Sequence, residues 1–158
     1  MVTPISNGAA EEWVFLVHRL PRTPSAPRIA LWRALRRLGA VLLGDGLVAL
    51  PADPRTVEHL EWLAAGIREN GGDSSVWVAR PTRRQTSQVL ASQARDAAEL
   101  EYLAVLRAAN QPDENPLRLH RRLRRQLRAI AGRDYFSAPS SRAARDAVES
   151  LTASEVLA

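Results

Sequence analysis

The chain of 158 residues has no cysteine, and all 22 of its basic Lys/Arg positions are arginine. Absence of thiols excludes a disulfide framework and thiolate metal sites, and suits a cytoplasmic protein. No stretch of roughly 18 residues is apolar, so no membrane-spanning helix is expected. Residues 1–12 lack a basic start followed by an apolar run, so they do not read as a secretory signal. His18, His59 and His120 fall on three different predicted elements with no ligand-pair spacing, which gives no metal site. The sequence also lacks a Gly-rich phosphate loop after a strand and a Gly-x-Ser-x-Gly elbow, so neither nucleotide binding nor nucleophilic catalysis has a motif behind it. Adjacent carboxylates occur as Glu11-Glu12 and Asp113-Glu114, both in predicted loops, where they serve solubility. No cofactor or small-molecule ligand is indicated, and the expectation is a protein that is not an enzyme.

What is present is arginine, unevenly spread. A GC-rich coding sequence accounts for arginine in place of lysine, but every positive charge is thereby a planar fork suited to phosphate and carboxylate. Residues 1–82 hold nine arginines against eight acids, whereas residues 83–158 hold thirteen against nine. Within residues 116–133 there are seven arginines and no acid, so an anionic partner is expected there.

Residues 1–12 read as a flexible tail. Residues 13–20 are β-branched and aromatic and stop at Pro21, which marks a strand. A helix is expected from Ser25 or Ala26, with Pro27 in its first turn, to Leu38, where Gly39 ends it. Val41, Leu42 and Leu43, then Gly44-Asp45-Gly46, then residues 47–50 form a hairpin pattern. Thr56 is the expected N-cap of a helix reaching Glu69, and residues 75–79 form the last strand. The order β-α-β-β-α-β is that of a ferredoxin-like α+β unit over residues 13–81. Residues 82–158 are expected to form a helical extension packed on it within one structural domain, with helices over 85–110, 117–131 and from Ser140 or Ser141 to Leu151. On the first strand Trp13, Phe15 and Val17 face one way and Val14, Leu16 and Leu20 the other. Both faces are therefore apolar, and the one without helices needs cover from the C-terminal helices or a second subunit.

The helix over 117–131 carries the sharpest pattern. Leu119, Leu123, Leu127 and Ile130 share an arc of roughly 80°, and Arg118, Arg121, Arg122, Arg124, Arg125 and Arg128 occupy the other side. Such a face fits along phosphates, as in a DNA-binding surface. The alternative is a solvated face balanced by Asp96, Glu99 and Glu101 of the preceding helix. The apolar side has no aromatic anchors, which speaks against a membrane surface. On the first helix Arg28, Arg33, Arg36 and Arg37 accompany a stripe of Leu31, Trp32, Leu35 and Leu38, with Arg33 and Arg37 pointing away from it. Trp32, Trp62 and Trp77 lie in apolar patterns and are expected in the core, and Tyr135-Phe136 as a packing anchor.

Several of these residues form a pattern of their own: Leu20-Pro21-Arg22, Ser25, Arg28, Leu31-Trp32-Arg33, Leu38-Gly39-Ala40, Asp45-Gly46, Trp62-Leu63-Ala64, Gly71-Gly72 and Arg133-Asp134-Tyr135-Phe136. It resembles the N-terminal domain of the ChrB family, regulators found with chromate-resistance transporters, and more distantly the PaaX group of transcriptional repressors. The resemblance implies a small DNA-binding, transcription-regulator-like protein that forms a homodimer. ChrB regulators carry a further C-terminal sensing domain, which this chain is expected to lack. A non-catalytic dimeric protein-interaction module is the alternative. A metal-dependent nuclease, like the one of CRISPR adaptation that shares this topology, is a third. That enzyme resembles this unit but has an aspartate at the end of its first strand, where this chain has residues 17–21 without an acid.

Overall fold

The computed structural model describes residues 10–153, so positions 1–9 of the expected tail lie outside the described residues. Elements follow in the order β1 (Trp13–Arg19), α1 (Ala26–Leu38), β2 (Val41–Gly44), β3 (Leu47–Pro51), α2 (Pro54–Glu69), β4 (Asp73–Ala79), α3 (Arg84–Ala109), α4 (Pro116–Ala131) and α5 (Ser141–Ala153). The chain divides into two units at residues 94/95, within α3, and each is taken in turn.

In the first unit the four strands form one antiparallel sheet in the order β2-β3-β1-β4. That order is the ferredoxin-like α+β arrangement the sequence predicts, with each helical crossover skipping one strand. Register follows the apolar pattern. Val14 and Leu16 pair with Leu50 and Val48 on one side and with Val78 and Val76 on the other. Val14, Leu16, Val48 and Leu50 are buried beside the helices, together with Leu60, Leu63, Ala64 and Ile67 of α2. The hydroxyl of Ser74, next to His18 in the register, donates to the Ala64 carbonyl at 2.8 Å and ties α2 to this face.

Local chemistry sets the joints. Gly39 takes φ 72° at the end of α1, where its N–H reaches the Arg36 carbonyl. Gly46 has φ 78°, and a Cβ there would lie 2.3 Å from the His18 carbonyl oxygen, so the hairpin turn admits glycine alone. The cap of α2 differs from expectation. Asp53, not Thr56, is the N-cap: its carboxylate accepts from the Arg55 and Thr56 N–H groups at 2.8 and 2.9 Å. Thr56 sits three positions on and returns the bond, its Oγ1 accepting from the Asp53 N–H at 3.0 Å. The pair closes a capping box, so Thr56 stabilises the helix start from inside it.

On the opposite sheet face Trp13 is fully buried, and its indole Nε1–H donates to Ser87 Oγ in the first turns of α3 at 3.0 Å. Further along that face Val17 and Trp77 are exposed. The expectation that Trp32, Trp62 and Trp77 belong to the core fails: they are 50%, 74% and 61% exposed. Their apolar neighbours fill the stripe without them, with Leu31 and Leu35 buried on α1 and Leu60, Leu63 and Ile67 on α2. An indole next to a stripe reads like part of it, because helical spacing fixes a direction only to within a turn.

The second unit is built on helices. Tyr102, Val105 and Ala109 of α3, Leu119, Leu123, Leu127 and Ile130 of α4, and Ala144 and Val148 of α5 form its core with Ala98 and Ala138. Tyr135 and Phe136 are buried in the α4–α5 link, as the packing-anchor expectation requires. Among the described residues no helix is long and apolar enough to cross a membrane.

Candidate nucleic-acid interface

Helix α4 starts at Asn115, whose side-chain oxygen accepts from the Arg118 N–H at 3.0 Å, with Pro116 in the first turn. Its leucine arc is buried, and Arg118, Arg121, Arg122, Arg124, Arg125 and Arg128 are all exposed. These arginines recur at spacings of three and four, so like charges stand beside one another along the face. The first turn has no acid to meet the positive end of the helix. Electrostatically the face is unfavourable by itself, and an anion would relieve it.

The acids that could have balanced it are engaged elsewhere. Glu101 forms a two-point ion pair with Arg133, whose Nε donates to Oε1 at 3.2 Å while Nη2 bonds Oε2. Glu99 accepts from the N–H of Ser140 at 2.8 Å and from the Ser140 hydroxyl. Asp134 accepts from the Ala138 N–H at 3.1 Å. Asp96 stands 4.0 Å from Arg95, its own neighbour. All these acids but Asp96 hold the α4–α5 link in place, and Arg133, the seventh arginine of the basic segment, belongs to this structural set. Burial first, and then the Asp134 carboxylate beside it, push the Tyr102 phenol up, while Arg145 acts in the opposite direction. None of the six α4 arginines forms an ion pair among the described residues. His120, on the same helix, turns inward: it is buried, with Nε2 lacking a hydrogen-bond partner among the described residues and standing 3.9 Å from a Glu149 carboxylate oxygen.

The other predicted arginines lie on α1, in the sheet unit. Arg33, Arg36 and Arg37 are exposed, but they do not act as one group. Arg33 lines a cleft beside the β2–β3 hairpin. The Arg36 guanidinium carbon lies 4.9 Å from the Trp32 ring centroid, in a cation–π contact. Arg37 lines a groove between α1 and α2 next to Trp62. Sequence reasoning missed Arg19, Arg22 and Arg28 as partners of Arg33 in that cleft. Only the fold brings these segments together, so spacing along the chain carries no signal for it. Among the described residues no three His, Asp or Glu side chains cluster as metal ligands.

Comparison with known proteins places this geometry in a family. The family model described as "Protein ChrB, N-terminal" matches residues 28–115, more than half the chain. The chain belongs to the ChrB N-terminal family. It is similar to Protein ChrB of Cupriavidus metallidurans strain CH34, at 30% identity over 141 residues that make up 84% of this chain and 42% of that protein. The chain thus spans less than half the length of that relative. No solved structure matches. The family-model match includes the α1 arginines and ends at Asn115, the cap of α4, whereas the match to the Cupriavidus protein covers enough of the chain to include α4.

Proposed function

We propose that this ChrB-family protein is a non-catalytic, DNA-binding, transcription-regulator-like protein related to chromate-resistance regulators, acting as a homodimer in the cytoplasm. One observation carries the reading: α4 presents six exposed arginines without an acidic partner among the described residues, because Glu99 and Glu101 are committed to the α4–α5 link. Guanidinium forks on an exposed helix face suit a row of phosphates, and each contact releases counterions and adds to a salt-dependent affinity. Arg33, Arg36 and Arg37 form a secondary surface. Phosphate contacts set register, whereas sequence readout needs side chains at base edges. The exposed apolar pair Val17 and Trp77 supports a dimer through the sheet face.

Fluorescence anisotropy with duplex DNA from the protein's own upstream region and a scrambled duplex, across a salt series, tests this. The expected result is steep salt dependence with tighter binding to the upstream fragment. No binding of either duplex at low salt would sink the DNA reading and favour a protein-interaction module whose basic helix meets an acidic partner.

A further inference from the structure

In the sheet unit, the end of β1, the loop after it, α1 and the β2–β3 hairpin enclose a cleft of about 1200 Å³. It exists because the helix-side face of the hairpin is covered only in part. Val48 is 1% exposed, but its cross-strand neighbour Leu42 is 60% exposed and lines the cleft. The space exceeds the roughly 300–1,000 Å³ of ordinary small-molecule sites.

Its walls combine positive charge with an aromatic surface. Arg19, Arg22, Arg28 and Arg33 line it, with Asp45 of the hairpin turn as the acid among them. Arg19 is paired with Asp73 at 3.0 Å, but Arg22, Arg28 and Arg33 form no ion pair among the described residues. Arg28 is oriented by a long bond, 3.4 Å, from its Nη1 to the Arg22 carbonyl. The start of α1 adds to the potential, since its first turn holds no acid and the Ser25 side chain makes no capping bond. Trp32 lines the same cleft with half its surface exposed, and the cation–π contact with Arg36, which is not part of the lining, fixes its ring.

We propose that this cleft binds a nucleotide unit, with the base stacked on Trp32 and the phosphates on Arg22, Arg28 and Arg33. Three unpaired guanidinium groups exceed what a single carboxylate can satisfy and suit the several oxygens of a phosphate chain. Trp32 supplies a face for a flat ring. Asp45 can accept a hydrogen bond from a sugar hydroxyl or a base N–H. Side chains here take the place of the glycine-rich backbone loop that the sequence lacks. A free nucleotide and an unpaired nucleotide within a strand present the same chemistry. The site is on a different unit from α4 and does not depend on duplex DNA binding.

Isothermal titration calorimetry of the full chain at low salt, with ADP and separately with a deoxythymidine tetranucleotide, tests the proposal. At least one is expected to bind at one site per chain. The R22Q/R28Q/R33Q variant should weaken it by about tenfold or more, and W32L should weaken it less. Binding of ADP assigns a free nucleotide, and binding of the tetranucleotide alone assigns a strand. The replaced side chains are exposed, so unchanged circular dichroism and melting temperature will show that the variants fold. The proposal is overturned if neither ligand binds at millimolar concentration, or if binding survives the cleft variant. Loss of binding in R121Q/R122Q/R125Q would overturn it too, by moving the site to α4.

Discussion

In the sheet unit arginines and acids meet at the surface, as in Arg19 with Asp73 and Arg80 with Glu11 and Glu12, and large indoles stay exposed. In the helical unit Glu99, Glu101 and Asp134 instead hold the chain's own α4–α5 link, and six arginines of α4 are left without partners among the described residues. Only α4 gathers such arginines along one helix face, but both units leave some without an acidic partner among the described residues, Arg22, Arg28 and Arg33 in the sheet unit. Net charge along a segment does not reveal this. The placement of the acids does, because a carboxylate with two donors of its own is no longer available to a neighbouring guanidinium.

The most forceful way to break this comparison is to remove charge from each unit separately. The R121Q/R122Q/R125Q variant should weaken duplex DNA binding to every sequence and lower the slope of log affinity against log salt by about 3. The R33Q/R36Q/R37Q variant on α1 should have a smaller effect on that slope. Equal losses in both, read by anisotropy across the salt series, would mean that gathering arginines along one helix face does not decide which of them bind.

Burial separates the units again, at a smaller scale. Leu123 is 1% exposed at the centre of the helical core, and Leu123→Ala should destabilise the protein by about 2–5 kcal/mol in urea denaturation. Trp62, a much larger side chain, is 74% exposed, and Trp62→Ala should change stability by no more than about 0.5 kcal/mol. A large cost at Trp62 would show that the indole is covered in solution, for example by a second copy of the chain. Between these lies the capping box: Asp53→Ala leaves the Arg55 and Thr56 N–H groups without their acceptor and should cost about 1 kcal/mol.

The ferredoxin-like order was legible because each joint has its own chemistry: Pro21 after the first strand, Gly39 after the first helix, Asp45-Gly46 in the hairpin. The leucine arc and arginine face of α4 were legible because a helix converts spacing directly into direction. What sequence could not supply is whatever depends on residues far apart in the chain. Whether Glu101 would face α4 or bond Arg133, 32 positions away, is decided by packing. The same holds for the cleft, whose arginines come from β1, the following loop and α1, and for the three indoles, whose exposure depends on neighbours rather than on pattern.

The smallest effect isolates the sheet unit by pH. Burial lowers the pKa of His18, on the helix side of β1, below its ordinary value of 6.5. Between that lowered value and 6.5 the unfolded chain binds a proton that the folded chain does not, so stability rises with pH across this window. The contribution is complete above 6.5 and falls away as pH drops through the folded value. Urea denaturation of the wild type and His18→Gln from pH 7.5 to pH 5 should therefore show the wild type losing more stability on acidification than the variant. A difference between the two that is constant with pH would mean that the imidazole is hydrated in the folded protein. His18 also lines the arginine cleft, and a phosphate bound there favours the charged imidazole. Saturating ADP should then shrink the acid loss of the wild type and leave that of His18→Gln unchanged, which makes the titration of one side chain report on occupancy of the cleft.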